Sequence, residues 1–201
     1  MMVTWLNHAI EGGLDYCELY GCQDNNGVAI PCAAHDWPVE FKVACRSGRR
    51  FQKSHDFDFR LFRSDQFKYV VTVRDPIPSL VSWWHITDKQ DTLDTFMLEM
   101  APYWRTFAQK WLSERRDNVL VTKYEDLTTN VGALREVLAF LDVGISSQEA
   151  IDQTFIDASA ITHRPIAEQP YFNRDLFAAV ERAIGAEIMG LAGYVPRYST
   201  A

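Results

Sequence analysis

The β-branched run Tyr69–Val73 (YVVTV) ends on Arg74, and Ser82 follows eight residues after the arginine. An arginine at the carboxyl end of a buried strand stands at the edge where open α/β sheets bind ligands. Its forked N–H donors can hold an anion, and a hydroxyl two helical turns further on can share that anion. Read alone, Arg74 would serve as well as an ion-pair partner for Asp75 or as a cap for a neighbouring helix. Upstream, Lys53 and His55 are two residues apart, so an extended segment turns both side chains the same way. A histidine that titrates near neutrality takes a proton from a hydroxyl, while an adjacent ammonium stabilises charge on a leaving oxygen. A lone K-x-H is weak by itself, because a solitary histidine is more often a surface or hydrogen-bonded residue. A third group, Lys123-Tyr124-Glu125-Asp126-Leu127, directly follows an apolar run.

These residues need elements to position them, and the apolar periodicity supplies them. Residues 3–11 (VTWLNHAIE) carry Trp5, Leu6, Ala9 and Ile10 at helical spacing, and Gly12-Gly13 stops the helix. Residues 14–50 hold Asn-Asn-Gly and two prolines and predict short strands and loops. Tyr69–Val73 reads as a fully buried strand of a parallel sheet. After it, Pro76 and Pro78 fit the first turn of a helix, where N–H groups lack intrahelical partners. Residues 92–116 trace an apolar stripe through Met97, Trp104 and Trp111, with a kink or break expected at Pro102. A strand over 118–122, a helix over 131–141, a loop, and one last helix over 174–192 complete the reading; Asn173 caps the last helix and Gly193 closes it. Strands alternating with helices predict an α/β sheet covered on both faces.

Composition fits that class. The 201 residues suit a single domain, 1–201, and 47% apolar with 23% charged residues describes a globular chain. No stretch approaches the roughly 18 consecutive apolar residues of a membrane span, and no basic-then-apolar leader opens the sequence. A cytoplasmic protein with no transmembrane segment is therefore expected; oligomeric state is not legible. The formal net charge of −7 argues against nucleic acid as a partner. Residues 42–74 nevertheless hold nine Lys or Arg against three acids, a surplus that suits a small polyanion, or equally a solvated charged loop. Four cysteines (17, 22, 32, 45) without a C-x-x-C pair fit reduced thiols. Cys32 and His35 lack a second matched pair of ligands, so no metal is expected.

Taken together and in order, Lys53-Ser54-His55, Arg74 with Ser82, and Tyr124-Glu125-Asp126-Leu127 resemble the sulfotransferase family over roughly residues 50–141, and more loosely in the final helix with its Gly193-Tyr194 ending. The resemblance implies 3′-phosphoadenosine 5′-phosphosulfate (PAPS) as sulfuryl donor and a P-loop NTPase-like α/β fold. That fold is three-layered, with mainly parallel strands flanked by helices. It implies His55 as the base on the acceptor and Lys53 as stabiliser of the transferring group. Arg74 and Ser82 become ligands of the donor's 3′-phosphate, and Tyr124 a neighbour of the nucleotide. Arg164, in Thr162-His163-Arg164-Pro165, is a candidate substitute for the family's later Arg-Lys-Gly phosphate motif, which does not occur here.

Of the family's glycine-rich phosphate turn only the helical tail Val3-Thr4-Trp5-Leu6 is seen. Either the true start lies upstream of Met1, or the fold is expected to be N-terminally truncated with an impaired donor site. Each lost charge-assisted donor costs about 3 kcal/mol in the transition state, so impaired transfer is expected. The function expected is transfer of a sulfuryl group from PAPS to a hydroxyl or amine of a small-molecule or carbohydrate acceptor. The alternative is a non-catalytic binding protein on the same fold.

Overall fold

The computed structural model describes residues 2–14, 16–18, 51–53, 59, 65–87, 91–159 and 165–199. They form an α/β chain of two compact units, residues 1–69 with 129–160, and residues 70–128 with 161–201.

In the first unit, β1 (Tyr16–Glu18) pairs in parallel with β2 (Phe51–Lys53), Glu18 opposite Lys53. Helix α1 (Met2–Ala9) runs through the Val3–Leu6 tail and stops where Gly12 and Gly13 take φ of 78° and 79°, a region open to glycine. Helix α5 (Val131–Leu141) spans the range its apolar periodicity gives. Asn130 caps it by accepting from the Gly132 N–H, and it buries Ala133, Leu134, Val137 and Leu138. Helix α6 (Gln148–Ser159) packs on both α1 and α5, where the sequence reading has a loop. A short antiparallel bridge, Ile10 to Ile145, ties the end of α1 to the segment before α6.

In the second unit, β3 (Tyr69–Val73) pairs with β4 (Val119–Lys123). Only Val71 and Val73 are buried, so β3 buries alternate residues on one face rather than being fully buried as its β-branched run predicts. Helix α2 (Pro76–Ile86) starts at once. Asp75 caps it by accepting from the Ile77 N–H at 3.1 Å, and the prolines sit in the first turn. Its buried side holds Ile77, Leu80 and Val81; Ser82, His85 and Ile86 are exposed.

Helix α3 (Leu93–Leu112), capped by Thr92, continues through Pro102. Pro102 has no N–H to offer the Leu98 carbonyl, and Leu98 lies on the exposed side of α3. Met97, Ala101, Trp104, Ala108 and Trp111 make its inward stripe at spacings of three and four. That stripe packs against α2, α7 (Arg174–Ile184) and α8 (Ala186–Leu191).

The single last helix of the sequence reading is thus two helices. Gly185 at φ 90°, ψ 137° breaks it, and the Gly185 N–H closes α7 on the Glu181 carbonyl. The short helix α4 (Tyr124–Thr129) follows β4 directly and buries Leu127. No helix among the described residues is long and apolar enough to cross a membrane.

Candidate functional site

Arg74 follows β3 directly, and its guanidinium carbon stands 4.5 Å from the centre of the Tyr124 ring, the first residue of α4. The aromatic face attracts the cation without using its N–H donors, which leaves the fork available to an anion. Asp75, the competing partner that the sequence allows, is engaged elsewhere. Its carboxylate accepts from the Ile77 N–H at one oxygen and from Arg197 Nη2 at the other. Among the described residues no carboxylate is paired with Arg74.

The peptide group joining Arg74 to Asp75 is held at both ends. Trp104 Nε1 donates to the Arg74 carbonyl at 3.3 Å, and the Asp75 N–H donates to Glu125 Oε1 at 3.1 Å. The second oxygen of Glu125 accepts from the Tyr194 hydroxyl at 2.7 Å. Lys123 completes the contact, donating from Nζ to the Gly193 carbonyl at 2.8 Å and standing 4.8 Å from the centre of the Tyr194 ring.

The titration behaviour follows from this packing. Burial raises the Asp75 carboxyl above its ordinary range, against the opposing charge of Arg197. Burial, then the hydrogen bond to Glu125, pushes the Tyr194 phenol far up, so it remains a donor throughout the neutral range. Tyr124 and Tyr171 are also raised by burial, with the charge of Arg74 pulling both the other way. Tyr171 stands edge-on to His85, with 5.7 Å between ring centres, and His85 is one turn beyond Ser82 on α2.

The family model described as "Sulfotransferase domain" matches residues 13–160. The chain belongs to the sulfotransferase family. Among solved structures it is similar to mouse sulfotransferase SULT7A1 complexed with PAP, with 17% identity and a TM-score of 0.43, over 79% of this chain and 63% of that one. The chain thus spans less than two thirds of that sulfotransferase's length. No curated protein matches it.

Five of the residues singled out from sequence, Lys53, His55, Arg74, Ser82 and Tyr124, lie inside the span matched to the sulfotransferase domain. The structure brings Arg74 and Tyr124 together. It sets Ser82 on the exposed side of the helix that Arg74 leads into. Lys53 closes β2 in the first unit. His55 and Arg164 lie outside the described residues.

The sequence touches Tyr194 only as the ending of the last helix, and Arg197 and Glu181 stand outside its motifs. A signal existed for one of them. Glu181 falls between Phe177 and Ile184 at spacings of four and three, on the inward stripe of α7, and an acid on such a stripe requires buried donors.

Proposed function

We propose that this sulfotransferase-family chain binds the 3′-phosphate end of PAPS at Arg74 and moves its sulfuryl group to a hydroxyl or amine of a small-molecule or carbohydrate acceptor. The observation that carries the reading is the pinned Arg74, stacked on Tyr124, at the carboxyl end of β3. A guanidinium held in place by its backbone and by an aromatic face loses little further freedom when it grips a phosphate. The residues present fit the anionic end of such a nucleotide. A cation faces no competing carboxylate among the described residues, two tyrosines feel its charge, and Ser82 offers an exposed hydroxyl on the adjoining helix.

PAPS supplies an activated sulfuryl group: a bond forms from the acceptor oxygen or nitrogen to sulfur while the sulfur–oxygen bond to the 5′-phosphate breaks. In this reading His55 takes the proton of the acceptor and Lys53 stabilises the charge that develops on the departing oxygen. Both roles rest on the Lys53-Ser54-His55 motif. Arg164 is retained as a candidate second ligand of the phosphate on the same sequence basis.

Transfer of labelled sulfate from PAPS to a panel of phenols, alcohols, sugars and amines tests the reading. Product formation is expected with the native chain, falling by about 10² or more in His55→Ala and Lys53→Ala. Transfer that is indifferent to His55 would reject these roles, and the absence of any product across the panel would reject the activity.

A further inference from the structure

The segment after α8 is anchored on α7. On α7, Glu181 is 1% exposed, and its carboxylate accepts from three consecutive backbone N–H groups, those of Arg197, Tyr198 and Ser199, each at 2.8 Å. A charged acceptor filling a row of backbone donors fixes the direction of that stretch tightly. Tyr198 is seated beside it, its ring centre 5.3 Å from that of Phe177 and 6.2 Å from that of Phe172. From this anchored stretch the half-exposed Arg197 side chain reaches Asp75, while Tyr194, three residues earlier, holds Glu125. Both the carboxylate and, through Glu125, the N–H of Asp75 are therefore held by residues 194–199.

We propose that residues 194–199 form a strap that positions Arg74 for its anion, with Arg197 and Glu181 as the positioning residues. The proposal rests on the assignment of Arg74 to the donor phosphate. Two physical effects combine in it. The strap limits rotation of the peptide group between Arg74 and Asp75, and so the direction in which the Arg74 side chain leaves the backbone. Arg197 also occupies the carboxylate of Asp75, the residue next to Arg74, and so keeps that acid engaged away from it. Neither effect needs Arg197 to touch the nucleotide, and its removal leaves the apolar core of the unit intact.

The experiment pairs two readouts in the full chain: calorimetric affinity for adenosine 3′,5′-bisphosphate (PAP), and amide hydrogen exchange at Asp75 and Ile77. Arg197→Met is expected to weaken PAP binding about ten-fold and to speed exchange at both amides, while Met97 and Ala108 in α3 exchange as before. Arg197→Lys, which can still reach Asp75 with one donor, is expected to recover most of the affinity. Glu181→Gln should reproduce the Arg197→Met pattern where it folds; Arg197→Met, a surface change, decides the matter where it does not. Unchanged affinity in Arg197→Met overturns the strap, whether or not exchange quickens. Native exchange at Asp75 and Ile77 in that variant overturns it as well. Failure of the native chain to bind PAP would reject the assignment of Arg74, and the exchange rates would still judge the strap separately.

Discussion

At the Arg74 turn, Asp75 and Tyr194 are both raised by burial, and this makes them testable by pH. The Tyr194 phenol ionises only well above its ordinary value of 10.0, because it is buried and donates to Glu125. Above pH 10 the unfolded chain releases this proton while the folded chain keeps it. The contribution of Tyr194 to stability is therefore complete below the unfolded value and is lost as pH rises through the folded one. Urea unfolding of the native chain should show stability falling between about pH 10 and 11, and Tyr194→Phe should show a shallower fall. At neutral pH the same variant should lose about 1–2 kcal/mol for its hydrogen bond to a charged acceptor.

Asp75 obeys the same sign at acid pH. Its carboxyl is raised from 3.8, so its contribution is fully present below that value and is lost as pH rises through the folded one. Asp75→Asn, which cannot ionise, should lack that slope in the unfolding free energy between the two values. Glu181 is the most demanding of these residues. Glu181→Ala strands three N–H donors and should cost about 3 kcal/mol or more, read as a lowered urea midpoint.

At the scale of elements, composition and periodicity suffice for the bounds of β3 and α5, though not for the one-sided burial of β3. The first is a β-branched run bounded by charge, and the second an apolar stripe opened by an asparagine cap. Periodicity fails between α7 and α8 because Val180, Ile184, Ile188 and Leu191 stay in helical phase across the break, so nothing in the stripe marks it. The decisive fact is the conformation of Gly185, which periodicity does not report. No atom lies within 4 Å of a Cβ built at that position, so the cost of Gly185→Ala is one of backbone conformation alone. At φ 90° and ψ 137° it should be about 1–3 kcal/mol, measurable from the urea midpoint. Helix α6 escaped the reading for another reason: its first two turns, QEAIDQT, carry a single large apolar residue, Ile151, too little to set a stripe.

For the molecule as a whole, local motifs carried the candidate site only part of the way. Arg74 is legible because it follows a readable strand that ends at Val73, and Tyr124 because it opens the Tyr124-Glu125-Asp126-Leu127 motif. Their supports are not, because the contacts join residues far apart in the chain, 69 positions from Glu125 to Tyr194 and 122 from Asp75 to Arg197. Such pairings follow from how helices α3, α7 and α8 pack within the unit, and no short motif encodes them. The family assignment and the pinned arginine converge on one claim, that this chain holds a nucleotide phosphate through Arg74.

Calorimetric titration of PAP into the native chain and into Arg74→Ala tests that claim most directly. The account predicts saturable binding by the native chain and a loss of about 10² or more in affinity on removal of the guanidinium, the scale of a broken charge-assisted pair. Native protein that gives no binding at millimolar PAP, or an Arg74→Ala variant that binds as tightly as the native chain, would contradict it.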